Sequence, residues 1–249
     1  MLRRSVVVAM AVALGMDSAA LAQDAVMSPL EIAAACAPPP SLDAPPAKPL
    51  RVIATQDTTP RSLAGDRDLI VISGGTLAGV QLNQAYYVRR PIRFGTSSSG
   101  HALGVKTLGW IRIVAANDAT AIAAVEHACG GIIERDYLVP FVAPVLPAGA
   151  DRDDATGEPD FASLGRVIVG SEDRQAAGAG DFVLIDRGAS QGIAAGMRVA
   201  IYRDVRTPGL PLASVGDAVV ISVGPAIALT RITRARDAVL SGDYVAVRK

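Results

Sequence analysis

Apolar residues recur along this chain in short runs of β-branched and aromatic side chains, each bounded by Gly, Asp or Pro. The runs are "DLIVIS", "AYYVRR", "WIRIVA", "TAIAAVE" and "YLVPF" in the first half, then "DFVLID", "RVAIYR", "AVVISV", "ALTRIT" and "YVAVR" in the second. Runs of this length between turn formers predict strands rather than helices. A leading "RVI" at Arg51 and again at Arg166 brings the expectation to six strands per half. Two stretches break the pattern. "MSPLEIAAACA" predicts a short helix, and the proline-rich residues 37–49 predict a stiff extended arm.

The two halves align with each other. Asp68, Gly75 and Gly79 fall on Asp181, Gly188 and Gly192, 113 positions later, and Asp136-Tyr137 falls on Asp243-Tyr244, 107 positions later. The chain therefore reads as a tandem duplication of an all-β unit: two small six-stranded β-barrels, residues 50–142 and 165–249, closed because closure hides the edges of short strands. Residues 1–22 precede as a signal segment, 23–49 as helix and arm, and 143–164, rich in Pro, Gly and Asp, read as the linker.

The spacing of Gly188, Gly192 and Gly196 raises the question of a phosphate loop. "GASQGIAAG" lacks both the lysine of a P-loop and the spacing of a dinucleotide fingerprint, and a strand follows it. The glycines are instead expected to serve turns by adopting positive φ, as are Gly75 and Gly79, with Asn83 taking the place of the last glycine. Val80 and Ile193, inside these turns, are expected to plug the barrels.

The pattern D-x-V-x-I-D-x-G-x-x-x-G-[VI]-x-x-G-x-x-x-x-[VI]-[YF]-R with a later G-D-Y-V resembles the β-barrel module that follows LysM in bacterial peptidoglycan-associated envelope proteins. The resemblance implies an envelope-associated, non-catalytic module. The partner it implies is peptidoglycan or another envelope protein.

"MLRRSVVVAMAVALG" followed by "ALAQ" has the basic, apolar and small-residue order of a secretory signal, and no later stretch is apolar enough for a transmembrane segment. The expected location is the periplasm or cell surface. Formal charge is zero, or −1 after cleavage behind Ala22, which leaves no electrostatic footprint for nucleic acid. In an oxidising compartment Cys36 and Cys129 are expected to form a disulfide. Lipidation of Cys36 is the alternative, although Asp24, Pro29 and Glu31 separate it from the apolar run.

Signals for chemistry are sparse, and neither an enzyme nor a cofactor is expected. His101 and His127 are the only histidines. Glu126, His127 and Cys129 are close in sequence, but on a strand the first two face opposite ways. "DRDDATGEPD" lacks the closing glutamate of a calcium loop. Asp136 and Asp243 are expected to cap backbone rather than act as acids. The remaining candidates are basic loops: Arg89, Arg90 and Arg93 in one copy, Arg203 and Arg206 in the other, whose guanidinium forks suit carboxylates of a peptidoglycan peptide, an exopolysaccharide or an acidic partner. Trp110, Tyr86 and Tyr87 are candidates for a sugar-stacking face.

The signal reading is checked by mass spectrometry of the exported protein, whose first residue is expected to be Gln23. A lipidated Cys36 at the N-terminus would overturn both the cleavage site and the disulfide.

Overall fold

The computed structural model describes residues 26–41, 45–59, 61–94, 102–170 and 176–249. The expected signal segment and His101 lie outside the described residues. Helix α1 (Pro29–Cys36) starts where its sequence dictates: Ser28 Oγ accepts the Glu31 N–H, Glu31 Oε2 accepts the Ser28 N–H at 2.6 Å, and Pro29 fills the first turn, where its missing N–H costs nothing.

Strands β1 (Val52–Thr55), β2 (Leu69–Ser73), β3 (Ala85–Phe94), β4 (Ala102–Ala116), β5 (Thr120–Ala128) and β6 (Tyr137–Pro140) form one antiparallel sheet in the order β1-β2-β5-β4-β3-β6. In the second unit, β7 (Gly165–Gly170), β9 (Phe182–Ile185), β10 (Arg198–Arg203), β11 (Ala213–Val223), β12 (Ala228–Ala235) and β14 (Tyr244–Val247) close into a barrel in the order β7-β9-β12-β11-β10-β14. Strands β8 (Ala176–Ala177) and β13 (Val239–Leu240) make a separate two-residue pair that the sequence pattern does not announce. The order of the first six strands is the order of the barrel. Even the bulges recur: the register shifts after Val88 and Trp110 match those after Ile201 and Asp217.

The first unit departs from the expected second barrel. Its edge strands are paired at the single bridge Arg51–Tyr137, with backbone bonds from Val52 N–H to Asp136 O, from Arg135 N–H to Val52 O and from Leu138 N–H to Leu50 O around it. The corresponding seam of the second unit carries the paired positions Tyr244–Arg166 and Val245–Gly165.

Each unit has its own core. Ile70, Ile72, Val80, Val88, Ile111 and Ile113 fill the first, and Val183, Ile185, Ile193, Val199, Ile201 and Val220 the second, so Val80 and Ile193 do sit inward. Gly79 and Gly192 adopt φ of 81° and 79°, Gly196 has φ 88°, and Asn83 takes the matching left-handed position at φ 64°. Gly75 and Gly188 have negative φ and are required for another reason. A Cβ on Gly75 would fall 1.8 Å from the Asn117 carbonyl oxygen, and one on Gly188 would fall 2.5 Å from that of Gly224.

Two further clusters lie outside the cores. Leu30, Ala34 and Ala37 pack with Phe182, Leu184, Val219, Ile221 and Leu229 of the barrel, while Ala35, Ile32 and Cys36 pack with Tyr87, Trp110 and Phe141 of the first sheet. Helix α1 is thus a wedge that touches both units. That is why β9 is apolar at all four positions instead of alternating: one face looks into the barrel and the other onto the helix. Cys36, the last residue of the helix, is bonded to Cys129 just after β5, with Cα atoms 5.4 Å apart.

Residues 143–164 are more than a solvated connection. Leu146 and Ala150 join the cluster beneath α1, Arg198 donates to the Gly149 carbonyl at 2.9 Å, Arg248 donates to the Gly157 carbonyl at 2.8 Å, and Lys249 pairs with Asp160 at 2.6 Å. The acidic run is thereby laid along the second unit.

The cross-link closes 93 residues, so Cys36→Ser/Cys129→Ser should lose about 4 to 5 kcal/mol from loop-closure entropy. Denaturant melts of the oxidised protein and the double variant measure it. In the same assay Ile193→Asp should cost several kcal/mol, because it places an unpaired carboxylate in a small apolar core.

Candidate functional site

Each of the two Asp-Tyr turns carries a forked arginine–aspartate pair. In the first unit Asp136, 2% exposed, receives Arg90 in a fork: Nε to Oδ1 at 2.7 Å and Nη2 to Oδ2 at 2.8 Å. Its Oδ2 also accepts the Ile133 N–H at 2.8 Å, and Arg90 Nη2 donates to the Gly131 carbonyl. The second unit repeats this with Asp243, held by Arg203 at 2.8 and 2.7 Å and by the Leu240 N–H at 2.8 Å. Arg203 continues to Asp237 and to the Ala238 carbonyl. Planar guanidinium on carboxylate is the strong form of the ion pair. Bonding to Asp136 and to Asp243 raises the pKa of Arg90 and of Arg203.

These contacts redistribute the basic candidates. Arg90 and Arg203 hold aspartates of their own units. Arg89 has its guanidinium carbon 4.9 Å from the centre of the Tyr87 ring, and burial lowers its pKa. Arg93 lies on β3. Arg206 is exposed in the loop after β10, and its backbone N–H donates to Asp204. Arg89, Arg90, Arg203 and Arg206 are therefore not gathered into one surface.

The aromatic candidates are equally displaced. Trp110 and Tyr87 are 5% and 7% exposed beneath α1, and Tyr86 packs against the first core. His127 stacks on Trp110 at 4.7 Å. The donor atoms of Cys36, His127 and Cys129 lie within 4.8 Å of one another, but both sulfurs are in the disulfide and offer no thiolate. Glu126 points the other way and pairs with Arg112.

Two features were not singled out in the sequence. At the register positions of Trp110, His127 and Phe141, the second unit has Asp217, Arg234 and Arg248. Asp217 receives Arg234 at 2.6 Å on one oxygen and Arg248 at 2.6 Å on the other. Burial alone would push this carboxyl up, but hydrogen bonds and charge from the two arginines outweigh it and hold the pKa below the ordinary range. The second feature is an open cleft of about 480 Å³ on the second unit, lined by Arg166, Arg203, Asp204, Arg206, Ser241 and Tyr244 among others. The repeated "RVI" was the available signal, since its arginine caps a turn carbonyl in both units: Arg51 on Arg135 and Arg166 on Gly242.

Among the described residues, no helix is long and apolar enough to cross a membrane. No protein-family model matches the chain, and no curated protein is significantly similar to it.

Removing Arg203 leaves Asp243 buried and unpaired, so Arg203→Ala should cost about 3 to 5 kcal/mol in urea melts, and Arg203→Lys should restore only part because it loses the fork. Asp217→Asn should show a pH signature. The folded pKa is depressed, so the carboxylate's contribution is present above about pH 4 and is lost as pH falls through the folded value. The stability gap between parent and variant is expected to be full at pH 7 and to narrow in melts below pH 4.

Proposed function

We propose that this chain is a non-catalytic scaffolding protein of the bacterial envelope, in the periplasm or at the cell surface, built by internal duplication of a six-stranded β unit related to the module that follows LysM. The observation that carries this reading is helix α1, wedged between the units and covalently fixed at its end by Cys36–Cys129. Such a cross-link suits an oxidising compartment. The recurrence of strand order, bulges and the buried Arg–Asp fork supports the duplication. Charged groups that would serve catalysis elsewhere hold turns here: Asp136 and Asp243 each fix a backbone N–H and a guanidinium. The reading places loops and edges in contact with another envelope protein or with peptidoglycan.

A second reading, carbohydrate binding, is favoured by one observation: partly exposed rings of Phe161, Tyr202 and Tyr244 lie beside Arg166 and Arg206, whose guanidinium groups have no carboxylate ion pair among the described residues.

Expression with the native leader followed by osmotic shock tests the first reading. The chain should appear in the shock fluid with Cys36 and Cys129 oxidised. Recovery from the cytosol with two alkylatable thiols would overturn it.

A further inference from the structure

We infer that the outer face of the second unit, where β7, β14 and β10 lie side by side, is a binding site for a carboxylate-bearing polysaccharide of the uronic-acid type. The inference rests on the carbohydrate reading and names its site and ligand class.

The placement follows from strand pairing. Tyr244 on β14 is paired with Arg166 on one side and with Tyr202 on the other. Cross-strand partners project from the same face of a sheet, so the three side chains form a row spanning two strand spacings, about 10 Å. Phe161 extends it, its ring centre 5.0 Å from that of Tyr202. Phe161 is 52% exposed and both tyrosines are half-buried, so part of each ring is open to solvent, whereas Trp110 and Tyr87 are buried beneath the helix. Flat apolar rings with a polar tip suit the CH-rich face of a pyranose ring.

Charge selects among sugars. Arg166 stacks over Tyr244 at 4.1 Å and donates to the Tyr244 hydroxyl and the Gly242 carbonyl; its backbone N–H donates to Asp186 Oδ1, and its guanidinium has no carboxylate ion pair among the described residues. Arg206, on the rim of the same cleft, also has no carboxylate ion pair among them. Asp243, the buried carboxylate of the cleft, is neutralised by Arg203. The cleft thus offers two cations of uncommitted charge beside a row of rings, with Asp204 on the rim to accept a hydroxyl. Sugar carboxylates satisfy the arginines and pyranose faces satisfy the rings. The first unit cannot duplicate the site, because Arg89 and Tyr137 stand at the register positions of Tyr202 and Tyr244 and Tyr137 is 3% exposed.

The test uses the whole chain with its disulfide intact and titrates polygalacturonate, neutral dextran and a single-stranded thymidine oligonucleotide by calorimetry. Binding of polygalacturonate alone is expected, weakened about tenfold by Tyr202→Ala or Phe161→Ala and several-fold by Arg206→Ala or by raising salt. Arg206 is exposed and its side chain serves no turn, so unchanged melting of Arg206→Ala separates loss of binding from loss of fold. Failure to bind polygalacturonate, equal binding of dextran or of the oligonucleotide, or affinity indifferent to all three substitutions would overturn the inference. None of these outcomes bears on compartment or oxidation state, which test the scaffolding reading.

Discussion

The contact between α1 and the two β units is the constraint on which the rest of the architecture depends. An eight-residue helix is too short to persist alone in water. It exists here because apolar side chains on two of its sides are buried against different partners and because its last residue is covalently held. The dependence runs both ways. Without the helix, Phe182, Leu184, Val219 and Ile221 on one unit and Tyr87 and Trp110 on the other would present large apolar surface to water, the kind of exposure that leads to association. Small side chains make the close approach possible: Ala34, Ala35 and Ala37 are all buried at this junction.

The second organising interaction is the buried fork between arginine and aspartate at the last turn of each unit. A carboxylate taken out of water is tolerable only when its lone pairs are filled, and here each receives a bidentate guanidinium and a backbone N–H. The fork ties β3 to the turn before β6 in one unit and β10 to the turn before β14 in the other. It therefore stabilises the seam region where a six-stranded sheet must meet its own first strand.

Positions outside these shared elements differ in chemistry between the two units while matching in register. The trio Trp110, His127 and Phe141 stacks under the helix, and its counterpart Asp217, Arg234 and Arg248 is an ionic group. The face that docks on α1 is aromatic, and the corresponding face that meets the segment 143–164 is charged.

Most of the strand pattern, the short helix, the disulfide, the plug residues and the left-handed turns at Gly79, Asn83, Gly192 and Gly196 were legible in the sequence. Each depends on local propensity or on the period of side chains along a strand, and such information is carried by neighbours in sequence. The fates of the arginines and aromatics were not legible. Whether Arg90 faces solvent or Asp136, 46 residues away, and whether Trp110 lies open or beneath a helix from the N-terminal arm, depends on contacts between distant segments. Gly75 was placed correctly in a turn for the wrong physical reason, since the carbonyl of Asn117 that excludes a Cβ comes from another hairpin. Closure of the seam likewise turned on how far β1 runs beside β6, which strand count alone leaves open. The sequence by itself determined which residues form strands and which positions must turn; the tertiary structure decided which faces are covered, because burial is a property of what the fold brings against a residue and not of the residue.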